Sequence, residues 1–220
     1  NKVKETFLAM CTRNGTVKRT PLMDFANIRR SGIAAITLDE GDVLVEVQRT
    51  LGANEILIGT KEGMAIRFPE ADIREMGRQA MGVRGIRLDK GDQVVGMETC
   101  EPKAKKTLLT VCENGYGKRT DLTEYRDQHR GGGGVITIKA NERNGAVIGI
   151  KLVTNADDLM VMTTSGMAIR MECKAIKTIS RNTQGVRLVR LNEGDKVARV
   201  APVVKESTEG VAQLDLPKPE

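Results

Sequence analysis

Aromatic side chains are nearly absent from this 220-residue chain, which has three Phe, two Tyr and no Trp. A surface that stacks unpaired bases is hard to assemble from so few rings, which disfavours a single-strand nucleic-acid binder. Histidine occurs once, and Cys11, Cys100, Cys112 and Cys173 show no C-x-x-C spacing, so ordinary zinc ligand sets are missing. The cysteines read as reduced, mostly buried thiols of a cytosolic protein. With one His there is no nucleophile and base arrangement either, and catalysis in this chain is disfavoured. No apolar run approaches the length of a membrane span and no signal-like start is visible, so neither membrane insertion nor export is expected. The first residue is not Met, and the chain reads as a piece of a longer protein.

Charge, by contrast, is plentiful. Thirty-five Lys and Arg face 29 Asp and Glu, a net charge of +6. Residues 205–220 hold two Lys and four acids, few apolar groups and several Pro and Glu, so they read as an acidic disordered tail behind a basic body. A basic body predicts a polyanionic partner, with plain solubility as the other reading. The tail could compete with such a partner for the body.

The body is repetitive. RNGTVKRT, KEGMAIRF, ENGYGKRT and TSGMAIRM each place a turn glycine (Gly15, Gly63, Gly115, Gly166) between short strand-like runs, at spacings of 48, 52 and 51 residues. A second glycine (Gly32, Gly82, Gly132, Gly185) opens GIAAITL, GVRGIRL, GGGVITI and GVRLVRL, and a third (Gly41, Gly91, Gly145, Gly194) closes each unit. Units one and three share NG followed by KRT, and units two and four share GMAIR, which points to duplication of an ancestral pair. Each unit reads as strand, tight turn, strand, polar connector, strand, turn, strand, with Asn14-Gly15 suited to a hairpin because both residues tolerate positive φ.

Four short strands per unit of about 50 residues is the period of a propeller blade. The fold class predicted is therefore all-β, with four four-stranded blades over residues 1–204 (units of about 1–50, 51–100, 101–153 and 154–204). A single unit cannot bury its apolar face, so neighbours must stack to make the core, from Val, Ile, Leu, Met and Ala. The one helical candidate is Glu70–Met76, in a connector. Whether four blades close into a ring or stay an open arc is not written in the pattern.

Four residues past each first glycine stands an Arg: Arg19, Arg67, Arg119 and Arg170. Lys18 and Lys118 precede it in the odd units, where the even ones have Ile. The connectors are basic as well: Arg29 and Arg30; Arg74 and Arg78; Arg126, His129 and Arg130; Lys174, Lys177 and Arg181. If the units stack radially, these positions form a band that a bent duplex could follow, since phosphates recur about every 1.7 Å along the DNA axis. The alternative is that the repeated Arg residues cover a solvated face or pair with Glu70, Asp72, Asp121 and Glu124. Nothing resembles a recognition helix, so binding to DNA should be largely sequence-neutral. The run Gln128, His129, Arg130, Gly131, Gly132, Gly133 and Gly134 offers backbone N–H groups to a phosphate, or is simply a bend; it is not a P-loop.

The stretches NGTVKRT, AMGRQAMGVRGIRL, ENGYGKRTDLTEY and SRNTQGVRLVR resemble the C-terminal domain family of bacterial DNA gyrase A, over about residues 3–204. That resemblance implies a β-pinwheel, a propeller-like disc whose blades exchange strands, with this chain matching the last four of six repeats. It implies a non-catalytic module whose rim binds and wraps duplex DNA in support of ATP-dependent negative supercoiling. The partners implied are duplex DNA, the N-terminal domain of gyrase A, and gyrase B, in the bacterial cytoplasm and nucleoid. It implies no cofactor in this part, since ATP and Mg act elsewhere in the parent topoisomerase. Gln128–Gly134 matches the family's gyrase box only degenerately, with His129 and Gly133 where the box has basic residues. The paralogous topoisomerase IV domain resembles the chain less well. A propeller-type protein scaffold is a further alternative.

Overall fold

A computed structural model describes residues 6–203, and the acidic tail falls outside them. Alternating apolar residues around the turn glycines form antiparallel strands, as the period-2 pattern requires. The first unit holds β1 (Phe7–Thr12), β2 (Thr16–Pro21) and β3 (Leu44–Thr50). The second holds β4 (Glu55–Thr60), β5 (Met64–Pro69), β6 (Val83–Arg84) and β7 (Val94–Cys100). The third holds β8 (Thr107–Cys112), β9 (Tyr116–Asp121), β10 (Val135–Ile136) and β11 (Val147–Val153). The fourth holds β12 (Asp158–Thr163), β13 (Ala168–Glu172), β14 (Val186–Arg187) and β15 (Val197–Val203).

Pairing does not respect the boundaries between units. The sheets run β3-β1-β2-β6, β7-β4-β5-β10, β11-β8-β9-β14 and β15-β12-β13. Thus the two-residue strand that follows each connector joins the sheet of the preceding unit: Val83 pairs with Val17, Val135 with Ala65 and Val186 with Gly117. Each blade borrows its outermost strand from the next unit. The fourth blade has three strands, and residues 33–38 of the first unit, the equivalent of a donated strand, belong to no strand among the described residues. Among the described residues no donated strand joins the fourth blade back to the first, so their strand pairing makes an arc with two unlike ends.

Exchange places the core between blades. One cluster joins Ala9, Cys11 and Val17 to Ile56, Ile58, Ile66 and Phe68; a second joins Leu57 and Ala65 to Leu108, Tyr125 and Ile150; a third joins Leu109 and Val111 to Leu159 and Val161. Besides the aliphatic residues expected, Phe7, Phe68, Tyr116 and Tyr125 are buried. Tyr125, in the third unit's connector, is 1% exposed and lies 2.5 Å from the Thr137 hydroxyl through its own. All four cysteines are buried and free of disulfides. The inner strand β7 packs between β3 and β11, and β11 between β7 and β15. Lys151 ties three of these strands together, with Nζ 2.7 Å from Glu98 and 3.2 Å from Glu46.

The connector after β5 makes one 3-10 turn, Glu70–Asp72, in place of the helix expected over Glu70–Met76. Ile73 is extended and fully buried, because the chain must leave the turn at once to reach the neighbouring blade's outer edge.

Gly63 shows why these glycines recur. Its φ is +87°, and a Cβ there would lie 2.3 Å from the Ile138 carbonyl oxygen, whereas Gly166, with φ +88°, has open space because no described residue packs against it. Gly166→Ala should therefore cost only the left-handed backbone penalty, about 1–2 kcal/mol. Gly63→Ala should cost about 1–3 kcal/mol more, for the displaced neighbouring blade. Chemical denaturation of the two variants checks the difference.

Candidate nucleic-acid interface

The four recurrent arginines sit on the second strand of each blade, but not on an open band. Arg67 lies against Glu55, at 2.5 Å, and donates from Nη1 to the carbonyls of Leu122 and Tyr125 in the next unit, at 2.9 and 3.1 Å. Arg119 is 5% exposed and donates to Thr107 Oγ1, to Asn155 Oδ1 and, at 2.6 Å, to the Cys173 carbonyl of the next unit. Arg19 reaches Glu70 and Glu75 of the second unit at 3.6 and 3.9 Å, and its guanidinium lies 4.5 Å from the Phe7 ring centroid. Arg170 pairs at 2.6 Å with Asp158 of its own blade, and its side chain is 55% exposed. Arg19, Arg67 and Arg119 thus reach forward to the next unit, and of Glu70, Asp72, Asp121 and Glu124 only Glu70 pairs with one of the four, Arg19, among the described residues.

Lys18 and Lys118 depart further from the expected rim, since both are fully buried. Lys118 Nζ donates to the carbonyls of Ser180 (2.6 Å) and Arg181 and to Thr183 Oγ1, and Lys18 Nζ donates to those of Ala35 (2.7 Å) and Arg78. Burial pushes the Lys118 ammonium down to about 8. Each lysine grips the next unit's connector from beneath, a function that sequence shows only as an alternation of Lys with Ile.

A second recurrence is written in the sequence, but its role shows only in three dimensions. Fifteen residues past each turn glycine lies an Arg: Arg30, Arg78, Arg130 and Arg181. Three of them clamp backwards, from Nη1 to a carbonyl of the preceding unit: Arg78 to Ala34 (3.2 Å), Arg130 to Arg84 (3.1 Å) and Arg181 to Ile136 (2.8 Å). Arg30 belongs to the first unit, has no preceding unit here, and is exposed. Forward clamps leave the last Arg exposed and backward clamps leave the first.

The glycine run is part of this bracing. Gln128 N–H donates to the Arg67 carbonyl, Gly131 N–H to Gly85, and Arg130 Nε to Asp72, while Gly132 accepts from Arg87 N–H. Gly134 has φ +75°, and a Cβ there would lie 2.5 Å from the Ala65 carbonyl oxygen, so glycine is required by close packing. His129 is exposed, with Nδ1 3.2 Å from Asp72.

The exposed Arg and Lys residues of the expected set are Arg170, on β13, and Arg29, Arg30, Arg74, Arg126, Lys174 and Lys177, with Arg78, Arg130 and Arg181 half-exposed. All but Arg170 lie in the connectors that leave each blade's second strand, and those of units two, three and four run on to the outermost strand of the preceding blade, at the sheet edge opposite β3, β7 and β11. Exposed Arg84, Arg87, Lys139, Arg143, Arg187 and Arg190 add to this outer side. Lys139 flanks the glycine run read from the sequence; the other five escaped that reading, although GVRGIRL and GVRLVRL carried the signal for four of them.

This architecture is that of a β-pinwheel, a strand-exchanging propeller-like repeat protein with a basic outer side. A family model described as the DNA gyrase C-terminal domain, β-propeller, matches residues 6–50, 54–101, 106–154 and 157–203. The chain belongs to the DNA gyrase C-terminal domain family. Among its relatives, the A subunit of DNA gyrase from Staphylococcus aureus strain NCTC 8325 is 45% identical over 212 residues, covering 96% of this chain and 24% of that protein. The strain MRSA252 protein is 44% identical over 94% of this chain and 23% of its own length. The chain thus spans about a quarter of these relatives. Among solved structures, the C-terminal domain of DNA topoisomerase IV matches with a TM-score of 0.86 at 26% identity, over 92% of this chain and 63% of that one. A DNA gyrase A C-terminal domain matches with a TM-score of 0.83 at 24% identity, over 93% and 68%, a likeness of fold.

Proposed function

We propose that this chain binds duplex DNA along its outer side and bends it, as a non-catalytic module of a DNA gyrase A protein. The observation that carries the reading is the exposed basic set on the connectors of all four units, Arg29, Arg30, Arg74, Arg126, Lys174 and Lys177. The connectors of units two, three and four cross to the preceding blade, so their charges follow the curvature of the arc. The units offer similar charge and no recognition helix, which favours phosphate contact over base reading. Bending 20–30 base pairs by 40–90° costs of order 1–6 kcal/mol, within reach of several phosphate contacts. In the parent enzyme this would support ATP-dependent negative supercoiling with the N-terminal domain of gyrase A and with gyrase B, in the bacterial cytoplasm at the nucleoid. ATP and Mg would act in those other parts. The topoisomerase IV domain is a second reading favoured by the fold match, while the sequence relatives favour gyrase.

The test is a salt series with a linear duplex of about 40 base pairs. With about 6–10 phosphate contacts, affinity should fall some 10³ to 10⁵-fold between 50 and 200 mM salt and vary little with sequence. A flat salt response would reject the reading and favour a protein-binding scaffold.

A further inference from the structure

The outer edge of the third blade carries a cluster of a different kind from the connector band. Tyr116 opens β9 and pairs with Arg187 of the donated strand β14. Arg187 Nη2 donates to the Tyr116 hydroxyl at 2.9 Å, and its Cζ lies 5.4 Å from the ring centroid. Arg143 stacks on the same ring, its Cζ 4.9 Å from the centroid, and its Nη1 donates to Gln184 Oε1 at 3.2 Å. Arg190 completes the lining of an open depression of about 440 Å³, which no Asp or Glu lines.

The equivalent hollow at the first blade explains what is unusual here. It is lined by Thr16 and Arg84, but also by Asp39 and Asp42. In units one, two and four an Asp of the closing turn accepts the N–H of a hairpin-turn residue: Asp42 from Asn14, Asp92 from Glu62 and Asp195 from Ser165. The third unit reads ANERNGA at that turn, and Asn114 N–H bonds instead to the Asn144 carbonyl, at 3.1 Å. Loss of that carboxylate leaves three guanidiniums together beside a tyrosine that only this unit has. The side-chain hydrogen bond from Arg187, with Arg143 in support, holds the Tyr116 hydroxyl below the usual phenol range.

We propose that Arg143, Arg187 and Arg190, arranged around Tyr116, form a phosphate site whose ligand is a phosphodiester of duplex DNA or a free polyphosphate. Guanidiniums present planar forks that match phosphate oxygens, and each has five N–H donors, of which the contacts above use one on Arg143 and one on Arg187. The tyrosine ring pre-positions two of the three, so less freedom is lost on binding. The duplex arm of this proposal rests on the function proposed above; the polyphosphate arm does not.

The experiment uses the whole 220-residue chain, with arginine Nε–H and tyrosine ring resonances followed by NMR while inorganic pyrophosphate, and separately a 40-base-pair duplex, is titrated. Signals of Arg143, Arg187, Arg190 and Tyr116 should move with both probes. The double variant Arg143→Ala, Arg190→Ala, which keeps the contact between Arg187 and Tyr116, should lower the salt slope of duplex binding by about 2. Pyrophosphate shifts without any duplex binding would uphold the site for free polyphosphate and reject the DNA reading. Duplex binding with an unchanged slope in the double variant, and none of the four residues moved by either probe, would overturn the site. The titrations on the unaltered chain decide even if the variant does not fold.

Discussion

Reversing one exposed connector charge in each unit, by Arg29→Glu, Arg74→Glu, Arg126→Glu and Lys177→Glu, should leave the thermal transition in place and reduce the salt slope of duplex binding by about 4. None of these four side chains makes an ion pair among those found in the described residues, and all are exposed, so the fold loses little when their sign changes. DNA loses a cation at each of four stations along the arc and meets an anion there instead. The loss should be similar for unrelated duplex sequences, since phosphate contacts position without specifying. Unaltered affinity in a folded quadruple variant would remove the connector band from the interface.

Arg119→Ala and Arg170→Ala change the same position of the repeat, and their effects should differ widely. Arg119 is buried, and its removal leaves the Thr107 hydroxyl, the Asn155 amide oxygen and the Cys173 carbonyl without their donor at the seam between the third and fourth blades. The expected cost is about 3–5 kcal/mol, from unpaired buried acceptors and lost packing. For a two-state domain of this size that lowers Tm by about 6–20 °C. Arg170 is half in solvent and reaches no other blade, so its loss should cost less, about 1–2 kcal/mol, mostly from the buried Asp158 carboxylate that loses its guanidinium. Equal melting temperatures for the two variants would mean that the forward clamp does not hold the blades together.

The contrast within one repeated position also separates what a sequence can carry from what it cannot. Three glycine landmarks at spacings near 50 residues, with strand-like runs around them, determined the blade count, the hairpins and the all-β class. These are local properties: a left-handed turn residue and a period of two act over a few residues, wherever the chain goes next. The family resemblance was legible for the same reason, since NGTVKRT and GVRGIRL are short contiguous signatures.

Other features depended on which unit stands beside which. The donated strands β6, β10 and β14 lie on the far side of their connectors from the sheets they complete, and no residue of the connector announces the exchange. Burial of Arg119 follows from acceptors that the fourth unit supplies, and Arg170, at the same position of the repeat, meets none from another unit among the described residues. Lys118 looks like a surface lysine beside an arginine until the connector of the fourth unit folds over it and supplies three acceptors. The tertiary structure decided which of the repeated cations hold the blades and which face outward, because solvent access and partner carbonyls at these positions come from another repeat.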